Sequence, residues 1–216
     1  MMRHRRRKCQ QSAVSNPKTA PQLVNMLMRI TILLLLVTCV SAMADSAPNK
    51  RMLFTFNSPD AVRQWQAVND DVMGGRSDGR FRINEYKNLE FFGNLSLANN
   101  GGFASIRSLG TPLGLTNGDT ITIRVRGDGR EYTLNLYTSA RRTAFSYRAT
   151  FQTTKDEWIN VTVPLSKFVA TSFGRLVQNA PLNPAQVSGI GLLLGDKKAG
   201  AFKVELESIA VTSPLN

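Results

Sequence analysis

Beyond residue 52, apolar and polar positions alternate with a period of two, and turn-forming residues separate the runs. The clearest case sets Ile121, Ile123 and Val125 against Thr120, Thr122, Arg124 and Arg126, which gives a strand with one apolar and one polar face. Tyr132, Leu134 and Leu136 alternate with Thr133 and Asn135, and Gly127-Asp128-Gly129 between the two runs reads as a hairpin turn. Further strands are expected over residues 53–56, 81–83, 89–95, 103–107, 144–151 and 158–163. The run 187–194 is almost continuously apolar and interrupted by glycines, the pattern of a central strand. Phe202, Val204 and Leu206 alternate with Lys203, Glu205 and Glu207. Ser208 breaks that period before Ile209 and Val211 resume it, which predicts a bulge. Ser58-Pro59-Asp60 opens a single helical turn reaching Trp65, and no longer helical period follows. About ten short strands of this kind predict an all-β, antiparallel two-sheet sandwich.

Charge and cysteine change the picture only after they are located. The 216 residues carry a formal net charge of +12, but seven of the 27 basic residues precede Asp45 and no acid does. Residues 45–216 therefore hold 20 bases against 15 acids, a net +5 without a long basic run, which argues against a nucleic-acid partner. Cys9, Cys39 and His4 all lie before Asp45 too. The remaining chain offers no thiol, imidazole or soft metal ligand, which removes serine-histidine, cysteine-histidine and zinc chemistry.

Residues 1–44 read as a leader. An apolar run, 30–40, follows Arg29 and precedes Ala42-Met43-Ala44, a small-x-small exit suited to cleavage after Ala44. Translation is expected to start at Met26 or Met28. The run is short for a membrane span of ~20 residues. An uncleaved anchor is the alternative, and the basic, acid-free start leaves a mitochondrial transit peptide open. Thr38 stands where a lipoprotein signal at Cys39 wants a smaller residue. Residues 45–51 are expected as linker, 52–212 as the domain and 213–216 as a tail.

Trp65-Gln66-Ala67-Val68-Asn69-Asp70-Asp71-Val72-Met73-Gly74-Gly75-Arg76-Ser77 resembles the signature of the complex I intermediate-associated protein family. The resemblance continues through Phe92–Ser96, Asn99–Arg107, Arg126–Tyr132, Trp158 with Val163-Pro164-Leu165 and Phe168, and Gly200–Phe202. It implies a galactose-binding-domain-like jelly roll and a non-enzymatic role, since mitochondrial members chaperone intermediates of NADH:ubiquinone oxidoreductase. A secretory leader would place this domain in a different compartment from that role.

Candidate site residues cluster in the polar loop. Asn69, Asp70 and Asp71 are three consecutive acceptors, suited either to a hard cation or partner or to tying the loop to its own amides, the reading that spacing favours. Met73, Gly74, Gly75, Arg76 and Ser77 complete the expected recognition loop. Asn99-Asn100-Gly101-Gly102 has hairpin-turn chemistry, and Asn100 joins the expected site. Arg107, Arg124, Arg126 and Arg130 are expected to share a sheet face with Asp70, Asp71 or Asp128, as a surface charge lattice or an anion clamp. Arg126-Gly127-Asp128 spells an adhesion tripeptide that the turn alone explains. Gly189, Gly191 and Gly195 imitate a dinucleotide fingerprint but lack the helix it requires. Asn94 and Asn160 open glycosylation sequons in expected strands, and Trp65 and Trp158 are expected in the core rather than on a sugar.

The function expected is a non-catalytic, protein-binding, assembly-factor-like module, exported to the periplasm or secreted, without cofactor or bound metal. It touches membrane only through an uncleaved leader. The alternatives are a carbohydrate-binding module of the cell envelope and a carboxylate-dependent hydrolase built on Asp70 and Asp71 with Asp128.

Overall fold

The computed structural model describes residues 49–139 and 144–214. The expected leader, including Ala44 and both candidate start methionines, lies outside them. Thirteen strands are joined by loops and a few short 3-10 segments. They are β1 (Asn49–Thr55), β2 (Trp65–Asn69), β3 (Asp78–Ile83), β4 (Leu89–Leu95), β5 (Ala104–Ser108), β6 (Thr120–Arg126), β7 (Glu131–Thr138), β8 (Phe145–Gln152), β9 (Trp158–Pro164), β10 (Val169–Ser172), β11 (Arg175–Leu176), β12 (Val187–Leu194) and β13 (Gly200–Ser213). Among the described residues no helix is long and apolar enough to cross a membrane.

The strands form two antiparallel sheets, an all-β jelly-roll sandwich. The front sheet has seven strands in the order β11-β10-β8-β7-β12-β5-β2. The back sheet has six, β3-β4-β13-β6-β9, with β1 added to β13. β13 is long enough to take β4 along its first half and β1 along its second, while β6 occupies the opposite edge. The bulge expected near Ser208 is present: the register with β6 shifts between Leu206 and Ser208, leaving Glu207 unpaired.

The expected alternation fills the core. Leu89 and Phe91 of β4, Ile121, Ile123 and Val125 of β6, and Val204, Leu206 and Ile209 of β13 face Ile106, Leu134, Leu136, Ile190 and Leu192 of the front sheet, all essentially unexposed. Each contributes about 1.5–3 kcal/mol by leaving water. Trp65 packs edge-on to Phe54 at 5.2 Å, in the core as expected, whereas Trp158 is only half-buried.

Four local expectations differ from the structure. The strand expected at 53–56 starts at Asn49, inside the expected linker, because β13 extends far enough to pair with it. The helical turn expected from Ser58 to Trp65 is present as the 3-10 segment Pro59–Gln64, but Trp65–Asn69 after it is a strand that was not expected, held by β5. β10 and β11 carry no clear alternation; β10 is a strand through pairing with β8, and β11 through pairing with β10. Most consequentially, β6 and β7 do not form a hairpin. β6 pairs with β9 and β13, and β7 with β8 and β12, in opposite sheets. Gly127-Asp128-Gly129 is the corner where the chain crosses between sheets. Asn99–Gly102 is likewise a crossing, from β4 in the back sheet to β5 in the front.

Candidate functional site at the loop end of the sandwich

The register brings the expected loops together at one end. Asn69, Ala104, Leu194, Tyr132 and Phe151 are successive neighbours across the front sheet. The segments 70–77, 96–103, 127–131 and 195–199 all leave from that edge. Polar side chains, Asp70 above all, anchor them.

Asp70 anchors the first two. Its side chain is 1% exposed. One carboxylate oxygen accepts the Ser77 amide at 2.8 Å. The other accepts the Ser77 hydroxyl at 2.6 Å, the Gly102 amide at 2.6 Å and the Phe103 amide at 3.3 Å. Burial alone would raise its pKa. The Ser77 hydroxyl and the amides of Gly102, Ser77 and Phe103 outweigh that and hold it below the ordinary carboxylate value. Four donors leave these oxygens no room for a cation, so Asp70 ties the loop to the chain. Among the described residues no three His, Cys, Asp or Glu side chains converge as a metal site would. The glycines fit around this carboxylate: a Cβ on Gly101 would lie 2.5 Å from Asp70 Oδ2, and one on Gly75 would meet Asp70 Cβ at 2.7 Å.

The rest of the loop closes on itself. Asp70–Met73 is a single 3-10 turn ended by Gly74 in the left-handed region at φ 86°, where glycine carries no steric penalty. The side chain of Met73 lies outside the described set. Asn69 reaches between the sheets, its Nδ2 donating to the Gly79 carbonyl at 3.0 Å, while its Oδ1 is buried without a partner. The Ser77 hydroxyl accepts the Ser96 amide at 3.1 Å, and Asn99 Nδ2 donates to the Gly74 carbonyl at 3.1 Å. Asp71, Val72, Arg76 and Asn100 are left on the surface, and Val72 is 69% exposed.

Asp128 and Arg130 anchor the crossing between sheets. Asp128 accepts the Arg130 amide at 3.1 Å, the Tyr132 hydroxyl at 3.1 Å and the Lys203 amide at 2.9 Å. Arg130 pairs with the nearly buried Asp196 at 2.7 Å and also donates to the Lys198 carbonyl. Burial would raise the Asp196 pKa, but Arg130 and the Lys198 amide hold it low. Burial and the Asp128 charge push the Tyr132 phenol far above its usual range. The adhesion reading is excluded here, because Arg126 is engaged with Glu205 and Asp128 with three donors.

The expected shared face of arginines and loop acids is corrected by the structure. Arg124 and Arg126 lie on the outer back sheet, 3.4 Å from Glu207 and 2.9 Å from Glu205. Arg107 lies on the outer front sheet over the Tyr137 ring. None of the four makes an ion pair with Asp70, Asp71 or Asp128. Asp70 and Asp128 are held by separate sets of donors, so no convergent carboxylate pair forms from them.

Sequence reasoning missed a cleft on the outer back sheet, lined by Arg82, Tyr86, Glu90, Arg126, Lys203 and Glu205. Glu90 and Glu205 are Cα partners on β4 and β13. Each is met by its own arginine, Arg82 at 2.8 Å and Arg126 at 2.9 Å. Burial would raise Glu205, yet Arg126 and Lys203 hold it low, so it is an ionised acceptor and not a proton donor. The signal was present in the polar phase of each strand, but the pairing that joins them is not local.

The family model for complex I intermediate-associated protein 30 matches residues 54–206. The chain belongs to that family. It is 26% identical over 186 residues to "Complex I intermediate-associated protein 30, mitochondrial" of Mus musculus, covering 74% of this chain and 56% of the relative. It is 25% identical to the Drosophila melanogaster protein of the same name, covering 74% and 62%. The chain thus spans a little over half the length of these mitochondrial relatives. Among solved structures it is similar to a family 11 carbohydrate-binding module from Clostridium thermocellum in complex with a β-1,3-1,4-mixed-linked tetrasaccharide, with TM-score 0.59 and 14% identity, over 79% of this chain and 99% of that one. It also resembles an agarase, AgWH50C, with TM-score 0.53 and 10% identity, over 77% and 25%. At such identities the likeness establishes the β-sandwich fold. Both the Asp70 loop and the Asp128 corner fall within the span matched by the family model.

Proposed function

We propose that the domain is a non-catalytic protein-binding module of the assembly-factor kind, with the loop end as its recognition surface. The carrying observation is the division of labour between Asp70 and its neighbours. Asp70 is buried and fully hydrogen-bonded, so the loop is held rigid, and Asp71, Val72, Arg76 and Asn100 are presented outward on it. An exposed apolar side chain on a pre-ordered polar loop suits protein docking, because little conformational freedom is lost on binding. Family membership supports a protein partner, and the relatives' name supports an assembly intermediate as that partner. The test is affinity capture from the native compartment with the wild-type chain and with Val72→Asp. One reproducible partner, lost in the variant while the fold is kept, is expected; the same partners with both baits would overturn the reading.

The compartment depends on the leader. Export after cleavage at Ala44 is the reading of residues 1–44, whereas the relatives' names support mitochondrial import. Fractionation of a carboxy-terminally tagged chain, with sequencing of its mature amino terminus, separates the two.

A second reading, carbohydrate binding, is favoured by one observation, the polar back-sheet cleft with exposed Tyr86 beside ionised Glu205. Titration with β-1,3-1,4-linked oligosaccharides tests it, and Glu205→Gln and Tyr86→Ala should abolish any binding seen.

A further inference from the structure

Arg107 and Arg148 share the outer face of the front sheet, and among the described residues neither forms an ion pair with a carboxylate. Gln66, Arg107, Gly191, Asn135, Arg148 and Val169 are successive Cα partners in one row across β2, β5, β12, β7, β8 and β10. With β12 and β7 between them, the two arginine backbones stand ~14 Å apart. Tyr137 stands on β7 two residues from Asn135, on the same face as both arginines. The Arg107 guanidinium lies 5.0 Å from the ring centroid, and both guanidinium groups act electrostatically on the phenol. Burial, together with the like charge of Arg107, holds the Arg148 pKa below its ordinary value. Gly191 leaves no side chain beside Arg107: a Cβ there would press on the Ile106 carbonyl and come within 3.2 Å of Arg107 Cα.

The polar groups beneath hold only the near edge of Arg148. Arg148 Nε donates to Ser146 Oγ at 3.0 Å, and Ser146 in turn donates to Asn135 at 3.0 Å. Arg107 Nε is buried without any partner. The back sheet is built differently. There Arg82, Arg126, Arg124 and Lys203 all have a glutamate within 4 Å. On the outer front face, strand phase places one acid among the described strands, Glu131, at the far end of β7 opposite Gln152. Half-buried charge without a partner costs stability, so the core does not explain its presence.

Beside Arg148 the face turns apolar. Val169 is its Cα partner on β10 and is 48% exposed. Leu176, opposite Thr171 on β11, is 62% exposed, and Phe173 in the turn between these strands is 61% exposed. Arg148 Nη1 lies 3.9 Å from where a Cβ on the neighbouring Gly174 would stand.

We propose that this face docks an acidic, amphipathic segment of a partner protein: Arg107 and Arg148 take its carboxylates across the Tyr137 ring, and Val169, Phe173 and Leu176 take its apolar side chains. Planar guanidinium forks match carboxylates, and arginine and tyrosine beside apolar side chains are the composition of interface hot spots. A uniformly polar polyanion would leave the apolar rim unused. The surface is distinct from the loop end, and its proposal stands or falls separately.

The test titrates the full chain, at low ionic strength, with a random copolymer of glutamate and tyrosine, with polyglutamate and with oligogalacturonate. Saturable binding of the copolymer, tighter than of the other two, is expected. Arg107→Gln with Arg148→Gln should weaken it about tenfold or more while the melting temperature stays equal or rises. Val169→Ser with Leu176→Ser should weaken the copolymer and leave polyglutamate unchanged. Arg80→Gln, on the other sheet, should bind as the wild type does. Undiminished binding by the double arginine variant, equal loss in Arg80→Gln, tightest binding of oligogalacturonate, or no saturable binding would each overturn the proposal.

Discussion

The Asp70 carboxylate receives both the backbone amide and the hydroxyl of Ser77, at 2.8 and 2.6 Å. This double contact closes the signature loop, and the amides of Gly102 and Phe103 fasten the next crossing to it. Asp71, the adjacent and chemically identical residue, is exposed and has no such role.

Asp70→Asn should therefore cost about 2–4 kcal/mol, because the buried carboxamide turns a donor toward groups that are already donors. Ser77→Ala should cost about 1–2 kcal/mol, and Asp71→Asn less than about 0.5 kcal/mol. Urea unfolding of the three variants measures the order.

The glycines around this carboxylate should separate by mechanism. Gly101→Ala or Gly75→Ala puts a methyl against Asp70 and should cost more than about 2 kcal/mol. At Gly74 nothing lies within 4 Å of the added Cβ, but φ is +86°, so Gly74→Ala carries only a left-handed penalty of about 1–2 kcal/mol. Differential scanning of the three proteins distinguishes crowding from backbone strain.

The Arg130–Asp196 pair is almost covered, with side chains 12% and 5% exposed, whereas Arg80–Asp78 is 65% and 56% exposed. Asp196→Asn should destabilise by about 2–4 kcal/mol, since it leaves a charge without its partner in a covered site. Asp78→Asn should change stability by less than about 0.5 kcal/mol. A urea series at fixed pH checks the contrast.

Acid should unfold the domain through identifiable groups. Asp70, Asp196 and Glu205 are all held below their ordinary pKa values. Their stabilisation is fully present above the unfolded-state values, near pH 4, and disappears as pH falls through the lower folded-state values. The urea midpoint should be flat from neutrality to about pH 5 and then drop, and Asp70→Asn should flatten that drop. Tyr132 shifts upward, so its contribution is present below about pH 10 and is lost as pH rises beyond that.

Much of the architecture was legible along the chain, because strand burial obeys a local rule. The alternation at 120–126 and 202–211 needs only side chains pointing to opposite faces, and it located β6, β13 and a bulge beside Ser208. The candidate loop was legible as a cluster of Asx and Gly residues, but the roles within it were not. Nothing in Asn69-Asp70-Asp71 distinguishes the buried acceptor from the exposed one, because the amides that select Asp70 belong to Gly102 and Phe103, in a loop from another strand pair.

The sequence by itself determined that residues 49–214 make a cysteine-free β sandwich, since periodicity and composition act residue by residue. Only the tertiary structure decided that Gly127-Asp128-Gly129 crosses between sheets, because a glycine turn serves a hairpin and a corner equally well. It alone decided that Glu205 finds Arg126 while Arg107 and Arg148 find no carboxylate among the described residues. Such neighbours are set by strand order and register, which arise when distant segments pair and pack, and no short stretch of sequence carries that information.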